Sequence, residues 1–256
     1  MASADIVGYD SMTGQPGTAW SIPTGGGSTT STGNRFLGVP ITLGAGTTTI
    51  TGFDTTLLNN TGAGLTFQPG WQVSLNYWIY NSWTPSATTS PAFGNLAGSG
   101  SSALTFNAAT TVSNNNFFFF TENSSPASGV VPAAGVNPGI AISPVTVTST
   151  GPIGVVLNWR INRNDGQGFV LLGGLSQVII GGANAVAPAV GTNNFGGVNL
   201  GYYRSAGAET NGNFLGTSSR NVGANSGMLF RVYTTPTPGS LALLGLGGLV
   251  AARRRR

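Results

Sequence analysis

Apolar and polar residues alternate with a period of two along several short stretches of this chain, the mark of strands whose two faces meet different surroundings. In VVLNWRIN, Val155, Leu157, Trp159 and Ile161 fall on one face while Asn158, Arg160 and Asn162 fall on the other. That is a sheet with one dry and one wet side, and it assigns Trp159 to the core. In WQVSLNYWIY, Trp71, Val73, Leu75, Tyr77 and Ile79 oppose Gln72, Ser74, Asn76, Trp78 and Tyr80, which puts Trp78 and Tyr80 on the polar side. The run from Phe117 to Phe120 does not alternate, so it predicts a strand covered on both faces, or an edge strand under a loop.

Read this way, strands are predicted near 36–43, 47–53, 72–80, 103–106, 117–121, 145–148, 155–161, 169–172, 177–180, 198–204 and 228–233. No helical period appears before residue 236. Many short strands without crossover helices predict an all-β fold, two antiparallel sheets packed as a jelly-roll-like β-sandwich. A solenoid is disfavoured because no motif recurs at a fixed spacing. Small-residue stretches at 14–33, 84–102, 124–138 and 181–197 read as long loops, and Asn164-Asp165-Gly166 as a hairpin turn. The chain divides into residues 1–4, a sandwich domain over 5–235 and a C-terminal segment over 236–256.

Composition changes this picture in one respect. Charged residues are 6% of the 256, against about 25% in ordinary soluble domains, so the surface is built from Ser, Thr, Asn, Gln and Gly. A hydrophobic content of 40% argues against disorder despite 41 glycines. The net charge of +4 is misleading: all ten basic residues are arginine, four stand together at 253–256, and the other six match six carboxylates. No basic patch is left for nucleic acid.

Histidine, cysteine and lysine are all missing from the sequence. Their absence removes Ser-His-Asp and Cys-His nucleophiles, imidazole and thiolate metal sites, Schiff-base chemistry, disulfides and the phosphate-loop lysine. A glycosidase-like carboxylate pair survives, with Glu122 beside Asp165 or Glu209 as candidates, but nothing in their spacing selects a pair. The expectation is a protein that is not an enzyme and needs no cofactor. A structural calcium ion is a weak candidate at Asn162, Asn164 and Asp165, where the turn reading is preferred. Trp78, Tyr80 and Trp83 are candidates for a glycan-binding platform, aromatic faces beside the amides of Gln72, Asn76 and Asn81. The competing reading buries these rings under a loop or at the sandwich rim.

The last segment carries the clearest functional signal. Pro236, Thr237, Pro238 and Gly239 precede the apolar run LALLGLGGLVAA over 241–252, and Arg253, Arg254, Arg255 and Arg256 follow it. As a helix counted from Gly239, the apolar part reaches roughly 21 Å at ~1.5 Å per residue, a marginal span for a bilayer core of ~30 Å. No polar stripe marks it as a surface helix. Arginines behind it hold that end on the cytoplasmic side, which leaves everything before Pro236 outside.

These residues resemble the PEP-CTERM sorting signals of Gram-negative bacteria, in which a Pro-Glu-Pro motif, a short hydrophobic helix and an arginine cluster are recognised by an exosortase. Thr237 stands where that motif has Glu, and the Pro-Thr-Pro-Gly form is similar to variants in planctomycete-like genomes. The resemblance covers 236–256 only. It implies a short C-terminal hydrophobic helix, an exosortase-type partner and transient inner-membrane anchoring. It further implies a final place at the cell surface or in an extracellular matrix, where extracellular polysaccharide is a candidate partner. The β domain then has structural or adhesive duty, or, as the alternative, binds carbohydrate. At the other end, Ala2-Ser3-Ala4 fits a signal-peptidase site without the apolar region that should precede it, so residues 1–4 read as the end of a signal peptide and an in-frame upstream extension is expected.

Overall fold

A computed structural model of the chain describes residues 5–14, 19–23, 35–44, 47–58, 63–84, 92–114, 116–122, 131–162, 177–181, 186–193, 202–205 and 228–236. Among them every strand pairing is antiparallel, and the strands build two sheets. Sheet A holds β1 (Ile6–Asp10), β2 (Ala19–Pro23), β4 (Thr47–Leu58), β11 (Phe117–Phe120), β12 (Ile140–Thr146), β14 (Gln177–Gly181) and β17 (Phe230–Pro236). Sheet B holds β3 (Arg35–Thr42), β6 (Gln72–Tyr80), β9 (Leu96–Thr105), β13 (Ile153–Asn162), β15 (Thr192–Asn193) and β16 (Tyr202–Ser205). Two short pairs complete the set, β5 (Leu65–Phe67) with β10 (Thr110–Val112) and β7 (Trp83–Thr84) with β8 (Ala92–Phe93).

The organising strand of sheet A is β4. One edge of it takes β17 and then β14, while the other takes β12 and then β11. In sheet B the order β3-β13-β6-β9 follows from long registers, with Val155 between Val39 and Ile79, and Leu157 between Leu37 and Tyr77. The period-two pattern now has its cause. Val73, Leu75, Tyr77 and Ile79 of β6, with Val155 and Leu157 of β13, face the inter-sheet core. There they meet Ile50, Phe53, Phe230 and Val232 of sheet A, with Phe53 and Tyr77 in ring contact at 6.1 Å.

The expected all-β sandwich is therefore present, and β6 spans the anticipated residues 72–80. In β11, Phe119 and Phe120 are adjacent and both buried, so this strand is covered on both faces. One stretch corrects the reading. The segment 84–102, taken as a loop for its small residues, contains β8 and most of β9. Its glycines answer to packing: a Cβ on Gly98 would lie 2.7 Å from the Val145 side chain, and one on Gly100 would lie 2.6 Å from the Tyr77 hydroxyl. Similarly, 14–33 contains β2 and 181–197 contains β15. The strand expected at 169–172 and the C-terminal helix lie outside the described residues, as does the side chain of Trp159, whose Cα pairs with Leu75.

Candidate functional site

Pro236 is the last residue of β17, paired with Thr47. The rest of the sorting segment, Thr237 to Arg256, lies outside the described residues, as do Asn164 and Asp165 and the side chain of Asn162. Glu209 and the Ala2-Ser3-Ala4 site also lie outside them. Among the described residues no group of three or more His, Cys, Asp or Glu side chains is placed to hold a metal, and no helix is long and apolar enough to cross a membrane.

The exposed aromatic platform is a correction. Tyr80 and Trp83 are each only 4% exposed and form a second apolar cluster with Val156, against which Trp78 and Phe93 pack. Phe93 of β8 caps the group, 4.7 Å from the Tyr80 ring and 4.6 Å edge-on to Trp83. The indole of Trp83 lies over two glycines on the outer face of sheet B: a Cβ on Gly38 would stand 2.5 Å from the ring, and one on Gly154 2.6 Å. Alternation had placed Trp78 and Tyr80 correctly on the face opposite the main core. It failed because the β7–β8 pair folds back over that face and makes it a dry seat. Burial raises the Tyr80 phenol to about 12. The Trp83 Nε1–H is buried without a hydrogen-bond partner among the described residues.

The most organised polar group of the described residues was not anticipated from the sequence. On β17, Phe230 and Val232 enter the core, so Arg231 and Tyr233 project from the outer face of sheet A. Arg231 is nevertheless fully buried. Its Nε donates to Asp10 Oδ2 at 3.1 Å and its Nη1 to Asp54 Oδ2 at 3.1 Å. Its Nη2 donates to Thr13 Oγ1 at 3.1 Å and to the Pro132 carbonyl at 2.7 Å. Asp10 also accepts from the Met12 and Thr13 amides and from the Thr13 hydroxyl at 2.6 Å.

What covers these groups is the segment 131–139. Besides Pro132, it is fastened by the Gly135 amide donating to Tyr233 Oη at 3.1 Å and the Gly139 amide donating to Asp54 Oδ1 at 2.8 Å. The Tyr233 hydroxyl in turn donates to Asp54 Oδ2 at 3.0 Å. From the other side, Glu122 accepts from the Val136 and Asn137 amides and, at 2.5 Å, from the Asn137 side chain. Asp54 and Glu122 thus bond the strap directly, while Asp10 holds the Arg231 that reaches it.

The electrostatics separate the two aspartates. Burial opposes ionisation of Asp10 most strongly, but the Thr13 hydroxyl and amide, the Arg231 charge and the Met12 amide together outweigh it and hold the carboxyl below its ordinary value. At Asp54 burial wins over the Gly139, Tyr233 and Arg231 contacts and pushes the carboxyl up. Burial, then the neighbouring Asp54 charge, also raises the Tyr233 phenol. The polar groups of the cluster are engaged with one another, with the β1 turn or with the strap.

A cleft of about 220 Å³ opens at the end of the sandwich where β17 finishes. Its wall is Thr42, Leu43, Gly44, Thr47 and Thr48 on one side and Ser149, Thr150, Gly151 and Ile153 on the other. None of these side chains is ionisable.

Fold and site together define an antiparallel β-sandwich in which Asp10, Asp54, Glu122, Arg231 and Tyr233 make internal contacts. Comparisons with protein-family models, curated proteins and solved structures found no match for the chain.

Proposed function

We propose that this is an exported, non-catalytic protein of the cell surface or extracellular matrix, sorted by an exosortase-type enzyme and serving a structural or adhesive role. The observation that carries the reading is the three-part sequence of the tail: Pro236-Thr237-Pro238-Gly239, the apolar run 241–252 and Arg253 to Arg256. An apolar segment this short with arginines behind it suits transient anchoring better than a permanent span. The β domain supports it by its chemistry. Charged groups are scarce, and Asp10, Asp54, Glu122 and Arg231 are spent on internal contacts. A Ser-, Thr- and Asn-rich surface remains soluble through neutral hydrogen bonding.

The test replaces Arg253 to Arg256 with neutral residues in the producing cell and follows both versions by fractionation and intact mass. The expected result is a parent chain shortened at its C-terminus and delivered outside the inner membrane, with a variant that is weakly retained there and keeps its full tail. An unshortened C-terminus in both would refute sorting.

A further inference from the structure

Between the last described strand and the apolar run there is almost no tether. Strand β17 runs to Pro236, hydrogen-bonded into the middle of sheet A between β1 and β4, and only Thr237, Pro238, Gly239 and Ser240 separate it from Leu241. Four fully extended residues reach at most about 14 Å. Crossing one headgroup layer uses roughly 5–8 Å of that, the difference between hydrocarbon and total bilayer thickness shared over two leaflets. What is left is below the ~10 Å separation of two packed sheets, so the domain has no room to swing away from the surface.

The end of the sandwich that this tether pins is already defined. Thr47 is the partner of Pro236 and also lines the cleft, and Ile6, opposite Thr234 at the same end, is 40% exposed. The residues flanking the cleft are threonines, a serine, glycines, Leu43 and Ile153, without a charge of either sign. The cleft lining meets phosphate headgroups with hydroxyl donors and without charge, and Asp5, next to Ile6, is a carboxylate at the same end.

We propose that this end of the sandwich, formed by residues 42–44, 47–48 and 149–153, is a membrane-docking surface that rests on lipid headgroups while 241–252 is inserted. The inference rests on the sorting reading and adds to it a fixed orientation of the domain.

The chain's lack of cysteine makes the test direct. Single variants Thr150→Cys, exposed at the docking end, and Ala108→Cys, exposed at the opposite end beyond β9, are made in the full chain. Each is added to phosphatidylethanolamine–phosphatidylglycerol vesicles, floated, and treated with a polyethylene glycol maleimide. Thr150→Cys should react several-fold more slowly than Ala108→Cys on vesicles and equally fast in detergent. A flexible Gly/Ser insert of about ten residues after Ser240 adds roughly 18 Å of mean reach and should abolish the protection without loss of flotation. Equal labelling on vesicles, or protection that survives the insert, would overturn the docking surface while leaving sorting intact. A full chain that does not float would overturn the anchoring on which both readings depend.

Discussion

Arg231→Met tests whether the buried cluster on the outer face of sheet A is what holds that face together. Methionine keeps most of the side-chain length and removes the guanidinium, which leaves Asp10 and Asp54 facing each other in a site that is 5% and 0% exposed, with the Pro132 carbonyl unpaired. Removing one partner of a buried ion pair costs about 3–5 kcal/mol, a large share of the roughly 5–15 kcal/mol that stabilises a whole domain. Urea unfolding followed by tryptophan fluorescence should show a midpoint shift of that size at neutral pH. The pH dependence is the sharper readout. In the parent protein Asp10, held below its ordinary value, contributes stability above its unfolded titration that is lost as pH falls through its folded pKa. Asp54, held above its ordinary value, opposes folding when ionised, and that cost is relieved as pH falls through its folded pKa. The two partly cancel. Without Arg231 both carboxyls shift upward, Asp54 further above its ordinary value and Asp10 toward its own, so the variant should regain stability relative to the parent as pH drops through the carboxylate range. A loss under about 1 kcal/mol, or one that does not change with pH, would refute the account of Arg231 as the neutralising group.

Other perturbations probe separate parts of the fold. Tyr233→Phe removes the acceptor of the Gly135 amide and a donor to Asp54, so it should cost about 1–3 kcal/mol and speed amide exchange at Gly135, which hydrogen-exchange mass spectrometry would resolve. Trp83→Ala should cost about 3–5 kcal/mol, whereas Trp83→Phe should cost far less, because the buried indole N–H without a partner is removed along with the lost ring area. Equal losses in thermal unfolding would mean that this N–H has an acceptor. Gly154→Ala should destabilise by about 1–3 kcal/mol by driving a methyl into the Trp83 ring, measurable as a lower urea midpoint with altered tryptophan emission.

Much of sheet B was legible from residue pattern alone, because β6 and β13 each put one face on the main core and the other away from it. The same pattern misled where a second layer covers the outer face. Trp78 and Tyr80 stand among Gln72, Ser74 and Asn76 and read as wet, yet the Trp83–Phe93 pair roofs them. In β17 alternation puts Arg231 and Tyr233 on the face opposite Phe230 and Val232, and only the strap at 131–139 makes them interior. No local signal announces a partner that is about a hundred residues away. Only the end of β9 was recognised, in the strand expected near 103–106, because the glycines and serines of its first part have low strand propensity. Gly98 and Gly100 are required there by Val145 and Tyr77, which fill the space a larger side chain would take.

The position of β17 also orders events in time. The strand that supplies the middle of sheet A, with Phe230 and Val232 in the core and Arg231 at the centre of the ion cluster, is the last one described along the chain, and its partner in β4 lies far earlier. Pairings of such sequence separation must await loop closure and are slow. A chain emerging amino-terminus first from a ribosome or a translocation channel therefore carries an open sheet A until β17 has cleared the exit. Sheet B, whose β3-β13-β6-β9 ladder ends at Asn162, can assemble before then. Under the proposed sorting, closure of the sandwich and emergence of residues 241–252 would be nearly simultaneous, so the domain would reach the lipid surface at the moment it becomes rigid.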